Sequence, residues 1–328
     1  MRTLRFASVG GWHIHTDRFL LKVNDYPGCM VTTVWDPDAM RGMARAERLN
    51  ASFVEQYEMI LEDPLIDGVL ITSPTRDHYD QIKKAIEAGK HIFVEKPAFY
   101  TKEEAYDIKK MLEGTDIKFL VSDPIRTSVR QLLCAREIME AGRIGKITTV
   151  RTRCAMPMAV NYTHLDSFNP DISGGGIMYD LGCHAVHMLH MLVGRPAKAH
   201  AAFSGASVAA KEYGVEDNAV AVYEFENGIL GIAETSALSD RREDFFLVSG
   251  LAGSICCMDK ELRFRTEANE WVNIPPDIWP EEKVYPLYNW IDSIGDGTKI
   301  EGGGIDEAVE FTEMIVSAYK ASTQTVDV

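Results

Sequence analysis

The chain has 328 residues, 46% hydrophobic and 25% charged, which are ordinary globular proportions and suit two domains of roughly 150 residues each. No apolar stretch approaches the ~20 residues needed to span a bilayer, and a net charge of −15 opposes nonspecific attraction to nucleic acid or anionic lipid. A small-molecule partner is favoured, with no nucleic acid and no membrane.

Met1 to Arg5 runs straight into a strand-like segment without the apolar stretch and cleavage site of a secretory signal, so a cytoplasmic protein is expected. Up to about residue 122, short apolar runs (Leu4 to Val9, Met30 to Trp35, Gly68 to Thr72, His91 to Val94, Phe119 to Val121) alternate with amphipathic stretches. These stretches are Arg41 to Leu49, Asp77 to Ala88 and Lys102 to Leu112, with another helix beginning near Thr16. Such alternation predicts a doubly wound parallel sheet. After Arg126 the pattern changes. A helix from about Ser128 to Ala141 leads through Gly145 into a strand from Lys146 to about Arg153. Later β-rich segments, Asn218 to Phe225, Ile229 to Ser236, Asp244 to Val248, Ser254 to Met258 and Trp271 to Ile274, suit a mostly antiparallel sheet. A final helix, about Asp306 to Ser322, carries Ala308, Phe311, Ile315 and Ala318 on one stripe. The expected division is residues 1–124 and 125–328, with the C-terminal helix a candidate to pack back on the first domain. Six scattered cysteines (29, 134, 154, 183, 256, 257) have no metal-ligand spacing and are expected as reduced thiols.

Candidate chemistry gathers where the strands of the parallel sheet end, the edge at which such sheets bind ligands. Val9-Gly10-Gly11 closes the first strand, so the turn from Gly10 and Gly11 through Trp12 and His13 could offer backbone N–H groups to a pyrophosphate. The Gly-x-Gly-x-x-Gly pattern is defective, because Trp12 and His15 stand at its second and third glycines. Asp36 ends the second strand in place to take ribose hydroxyls, and its charge would repel a 2′-phosphate. Pro37 and Asp38 follow it rather than Arg or Lys, so NAD is preferred to NADP. Ser73, Pro74, Thr75 and His78 follow the third strand, and Glu95-Lys96-Pro97 follows the fourth. Gly174-Gly175-Gly176 reads as a flexible loop entering a helix on which Asp180 and His184, four residues apart, share a face. A histidine held by a carboxylate suits removal of a proton from an alcohol near neutral pH.

Together these segments resemble the Gfo/Idh/MocA family, the group of glucose-fructose oxidoreductase, inositol dehydrogenase and rhizopine-catabolism proteins. The resemblance rests on Glu95-Lys96-Pro97, Ser73-Pro74-Thr75 with His78, Arg126, Gly142 to Gly145 and Gly174 to His184. Glu216-Asp217-Asn218, Asn227-Gly228 and Gly250 to Ser254 add to it. It implies an N-terminal Rossmann domain and a C-terminal α+β domain whose open sheet forms a homodimer or homotetramer, with sugars, inositols or related polyols as substrates. It also implies Lys96, Asp180 and His184 as catalytic residues, and Gly10, Gly11, Trp12, His13, Asp36, Ser73, Pro74, Thr75, His78, Glu95 and Lys96 around the cofactor. Lys96, Asp180, His184 and His187 are substrate contacts on this reading, joined by Arg126, Asn161, Tyr162 and His164. His187 stands where the family commonly has Asp.

Two other readings compete with a nicotinamide enzyme that needs no metal. Asp180, His184 and His187 lie within about 60° on a helical wheel, so a metal could be bound there with His13, His15 or His164. A non-catalytic or regulatory relative could also keep the fold without turnover. Trp271, Trp279, Trp290, Tyr285 and Tyr288 are expected mostly in packing.

Overall fold

A computed structural model describes residues 2–122, 129–158, 165–266, 270–281, 285–300 and 302–323. The chain divides into two compact units, Met1–Asp123 with Lys283–Thr312, and Pro124–Glu282 with Glu313–Val328.

The first unit is built on six parallel strands, β1 (Leu4–Val9), β2 (Cys29–Trp35), β3 (Ser52–Phe53), β4 (Gly68–Ile71), β5 (His91–Val94) and β6 (Phe119–Val121), in the order β3-β2-β1-β4-β5-β6. Helices α1 (Thr16–Asp25), α2 (Ala39–Leu49), α3 (Tyr57–Glu62), α4 (Thr75–Glu87) and α5 (Lys102–Leu112) connect them. The strands read as continuous apolar runs because both sheet faces are covered, and the period of two divides their side chains between two cores. Ala7, Val69, Ile71, Ile92 and Val94 face one core. Phe6, Leu70, Phe93 and Leu120 face the other. The helix Pro286–Asp296 completes that second core. Its Trp290 lies 5.2 Å from the ring of Phe6 and 5.9 Å from that of Phe93, and its indole N–H donates to Lys118 O at 2.9 Å. Trp290 is thus a packing residue, as expected.

The register matters most for function. Val9 pairs with Trp35 and Ile71, Ile71 with Val94, and Val94 with Val121. These strands therefore end in one row, and the next residues, Gly10, Asp36, Thr72, Glu95 and Ser122, form the carboxyl edge. Strand order reverses between β1 and β4, so this edge carries the switch point at which open α/β sheets bind ligands.

In the second unit, eight strands run β14-β13-β12-β11-β7-β10-β9-β8, where β7 is Ile147–Ala155, β8 Lys198–Ser204, β9 Asn218–Glu224, β10 Leu230–Ser236, β11 Glu243–Gly250, β12 Gly253–Met258, β13 Glu261–Thr266 and β14 Val272–Ile274. All neighbours are antiparallel except β7 and β10. Asp259 and Lys260, both at positive φ, make the tight β12–β13 turn that a twisted hairpin requires. The helix α6 (Val129–Glu140) precedes β7, and the helix Gly182–Val193 is tied to β7 by Thr152, whose hydroxyl donates to Ala185 O at 2.8 Å.

Candidate active site

Hydrogen bonds continue one residue past the strands and fix the carboxyl edge. Gly10 N donates to Trp35 O, Thr72 N to Val9 O, Glu95 N to Ile71 O and Ser122 N to Val94 O, all within 2.8–2.9 Å. Gly10 has φ +70, and a Cβ there would lie 2.1 Å from Ser73 Oγ, so only glycine suits the turn. At Gly11 a Cβ would fall 1.8 Å from Arg45 Nη1. The turn then closes on itself: His13 N donates to Thr72 O at 3.1 Å, and the Thr16 hydroxyl donates to His13 O at 2.6 Å. Helix α1 starts there without a side-chain cap, and Thr16 N donates to His13 O at 3.1 Å.

Asp36 follows β2, with Pro37 and Asp38 next in the chain, but two arginines from α2 hold its carboxylate. Arg41 grips the carboxylate through Nε at 2.8 Å and Nη2 at 2.6 Å, and Arg45 Nη1 adds a third bond at 3.2 Å. Both arginines lie on α2, five and nine residues after Asp36, and reach back to the strand end. Arg45 also donates to Asp17 Oδ1 and to Gly11 O, locking the turn to α1 and α2. Asp38 N donates a fourth bond to Asp36 Oδ1 at 2.9 Å, so a ribose diol must displace one of these donors to bond to the carboxylate.

On the other side of the edge, Glu95 is buried, with His15 Nδ1 at 3.4 Å and His13 Nε2 at 3.8 Å from its Oε1. Burial alone pushes this carboxyl up, but His13, His15 and Lys96 together outweigh it and hold the group well below the usual carboxylate range. Lys96 is anchored through its backbone N–H, which donates to Ser122 Oγ at 3.0 Å. His78 is fully buried, with Nε2 2.9 Å from Ser73 O and Nδ1 3.3 Å from Ala98 O. Its ring braces the Ser73 and Lys96 loops against each other. A direct bond to a cofactor would cost one of these two contacts. Ser73 and Thr75 are also buried, and Pro74 forms the start of α4. Two buried atoms of this edge, Thr72 Oγ1 and Glu95 Oε2, have no hydrogen-bond partner, so the residues present fit a polar ligand such as a dinucleotide.

In the second unit, Gly174 to Gly176 is a braced turn rather than a flexible loop. A Cβ on Gly175 would lie 2.3 Å from the Tyr319 hydroxyl, and one on Gly176 would lie 2.3 Å from Glu216 O. Glu216 Oε1 accepts from Met178 N at 2.9 Å and from the Tyr319 hydroxyl at 2.6 Å, and Ile177 N donates to Glu216 O. Burial raises the Glu216 carboxyl above its ordinary range against these bonds. The expectation of one helix carrying both Asp180 and His184 is corrected. A short helix, Ile177–Asp180, ends at Asp180, and His184 belongs to the next, Gly182–Val193, with its N–H donating to Leu181 O at 3.0 Å. The glycine turn and Glu216 start the first segment, and the chain reorients at Leu181 before the second begins. Asp180, His184, His187 and His190 are half-buried, while Cys183, Ala185, Val186, Met188 and Leu189 fill the core.

Arg126, Asn161, Tyr162 and His164 lie outside the described residues. Among the described residues, the histidines and carboxylates close enough to share an ion are His13, His15 and Glu95, rather than Asp180, His184 and His187. Arg41, Arg45, Glu216 and Tyr319 are the supporting residues that the sequence reading did not single out in these roles.

Residues 4–122 match a family model described as an oxidoreductase family with an NAD-binding Rossmann fold, and residues 132–256 match the GFO/IDH/MocA C-terminal domain. A scyllo-inositol 2-dehydrogenase (NAD(+)) of Bacillus subtilis (strain 168) is 32% identical over 242 residues, covering 71% of this chain and 67% of that protein. A levoglucosan dehydrogenase solved in complex with NADH and levoglucosan has a TM-score of 0.84 at 20% identity, covering 98% of this chain and 97% of that one. An inositol dehydrogenase homolog from Azotobacter vinelandii complexed with NAD+ has the same TM-score at 19% identity, covering 98% and 96%. Two domain matches in order, with this relative, show that the chain belongs to the GFO/IDH/MocA family of oxidoreductases, with an NAD-binding Rossmann domain.

Proposed function

We propose that the protein is an NAD-dependent dehydrogenase or reductase of a sugar, inositol or related polyol hydroxyl. The observation that carries this reading is the single edge formed by Gly10, Asp36 and Glu95-Lys96 in a family of NAD-binding oxidoreductases. Gly10, Gly11, Trp12, His13, Asp36, Ser73, Pro74, Thr75, His78, Glu95 and Lys96 are the proposed cofactor residues. NAD is preferred because Asp36 places at the strand end a carboxylate that would repel a 2′-phosphate.

In the oxidising direction a ring nitrogen of His184 accepts the substrate hydroxyl proton. Asp180 orients the hydroxyl, and the Lys96 ammonium donates a hydrogen bond to the oxygen as charge develops on it. NAD held by the Gly10, Asp36 and Lys96 edge would supply the hydride acceptor for the carbinol carbon. Arg126, Asn161, Tyr162, His164 and His187 are assigned to the remaining substrate hydroxyls. Residues 1–124 and 125–328 are the proposed cofactor and substrate domains, in a cytoplasmic homodimer or homotetramer assembled through the eight-stranded sheet. None of the described helices is long and apolar enough to cross a membrane.

The test is steady-state kinetics of Lys96→Ala and His184→Ala with NAD and a responsive polyol. The expected result is a fall in kcat of about 10²–10⁴ in each, with NAD affinity kept within about threefold. Unchanged kcat in both would remove the assignment. A second reading, a relative that binds nucleotide or sugar without turnover, draws on the arginine-held Asp36 and the occupied turn at Trp12 and His15. NAD binding without an absorbance change on any polyol would favour it.

A further inference from the structure

The edge contains a cluster that the dehydrogenase reading does not use as a unit. His13, His15 and Glu95 each offer a ligand atom, and these atoms all lie within 4.8 Å of one another. A tetrahedral ion with bonds of about 2.0–2.2 Å separates its ligand atoms by about 3.3–3.6 Å. The two separations from Glu95 Oε1, 3.4 Å to His15 Nδ1 and 3.8 Å to His13 Nε2, match that span after a shift of a few tenths of an ångström. A second observation points the same way: Glu95 Oε2 is buried and has no hydrogen-bond partner. Access is open from one side, because the His15 side chain is 29% exposed and that of His13 11%.

We propose that His13, His15 and Glu95 form a binding site for a divalent cation of the zinc class. Two imidazoles and one carboxylate are a donor set that such ions accept, and three protein ligands leave one tetrahedral position for water or another oxygen. The ion-free arrangement favours one tautomer: His15 N–H donates to His13 Nδ1 at 3.2 Å, which leaves the His13 ring proton on Nε2. Binding through Nε2 moves that proton to Nδ1. It gives up one backbone hydrogen bond in exchange for three metal–ligand bonds.

Co²⁺ is titrated into the metal-free full-length protein in the absence of dinucleotide, followed by calorimetry and visible absorption. This separates the result from the fate of the dehydrogenase reading. The expected outcome is one equivalent bound with the intense visible bands of four-coordinate cobalt. Affinity should fall at least about tenfold in His15→Ala and remain unchanged in His200→Ala, an exposed histidine on β8. His15→Cys should retain uptake and add a thiolate charge-transfer band, a positive signal that a misfolded variant would not give. No stoichiometric uptake by the wild-type protein, or uptake unchanged in both His15→Ala and His13→Ala, would overturn the proposal.

Discussion

Two buried glutamates, Glu95 in the first unit and Glu216 in the second, sit beside glycine-dependent turns and have opposite surroundings. Glu95 faces His13, His15 and Lys96, and one of its oxygens lacks a hydrogen-bond partner. Glu216 faces a phenol and a backbone N–H, which satisfy it without a full opposite charge, and burial raises its carboxyl. A buried carboxylate facing two imidazoles and an ammonium, with one spare oxygen, is placed to meet a ligand. One closed by Tyr319 and Met178 holds a turn. Burial alone does not separate these roles; the chemistry of the partners does.

The largest effect should come from breaking the brace. Glu216→Ala leaves the Tyr319 hydroxyl and the Met178 N–H without their acceptor, at a cost of about 2–4 kcal/mol in urea denaturation, with Glu216→Gln losing less than half as much. A wild-type midpoint for Glu216→Ala would break the comparison. Gly176→Ala comes next. Its Cβ would press on Glu216 O, so a loss of about 1–3 kcal/mol and a lower kcat are expected, read by melting and turnover.

On the ligand side, Arg41→Ala frees Asp36 and removes a cation able to meet a 2′-phosphate. The NAD-over-NADP affinity ratio should rise about tenfold in fluorescence titrations. An unchanged ratio would show that Arg41 does not compete for the ribose ligand.

The smallest expected effect is on pH dependence. Burial lowers the His78 imidazole below its ordinary 6.5, outweighing the carbonyls of Ser73 and Ala98 that pull the other way. The folded state therefore takes up this proton less readily than the unfolded chain, so the stability is present above pH 6.5 and is lost as pH falls below it. His78→Gln should shrink the drop in Tm between about pH 7.5 and about pH 5.5.

Most of the first unit was legible because its strands are buried on both faces and stand out as apolar runs between helices. The two-residue β3 and the short α3 are too brief to carry a period. In the second unit β13 was obscured by its charged face of Glu261, Arg263 and Arg265, with Leu262 and Phe264 the only apolar residues opposite, and β8 by its small side chains. The positions of Gly10, Asp36 and Lys96 followed from strand ends. What the sequence could not display was how side chains fold back on one another: Arg41 and Arg45 returning from a helix to Asp36, Tyr319 reaching Glu216 across 103 residues, and His15 facing Glu95 across 80. Gly174 to Gly176 misled for the same reason. Their smallness answers to Tyr319 and Glu216, which no local pattern reveals.

The most direct test of the central claim is the initial rate of NADH formation when the purified protein and NAD are offered a panel of inositols, hexoses and anhydrosugars. The account predicts a rise in nicotinamide absorbance with at least one of these polyols, and its loss in Lys96→Ala. Saturable NAD binding with no absorbance change across the panel, in either direction of the reaction, would contradict it.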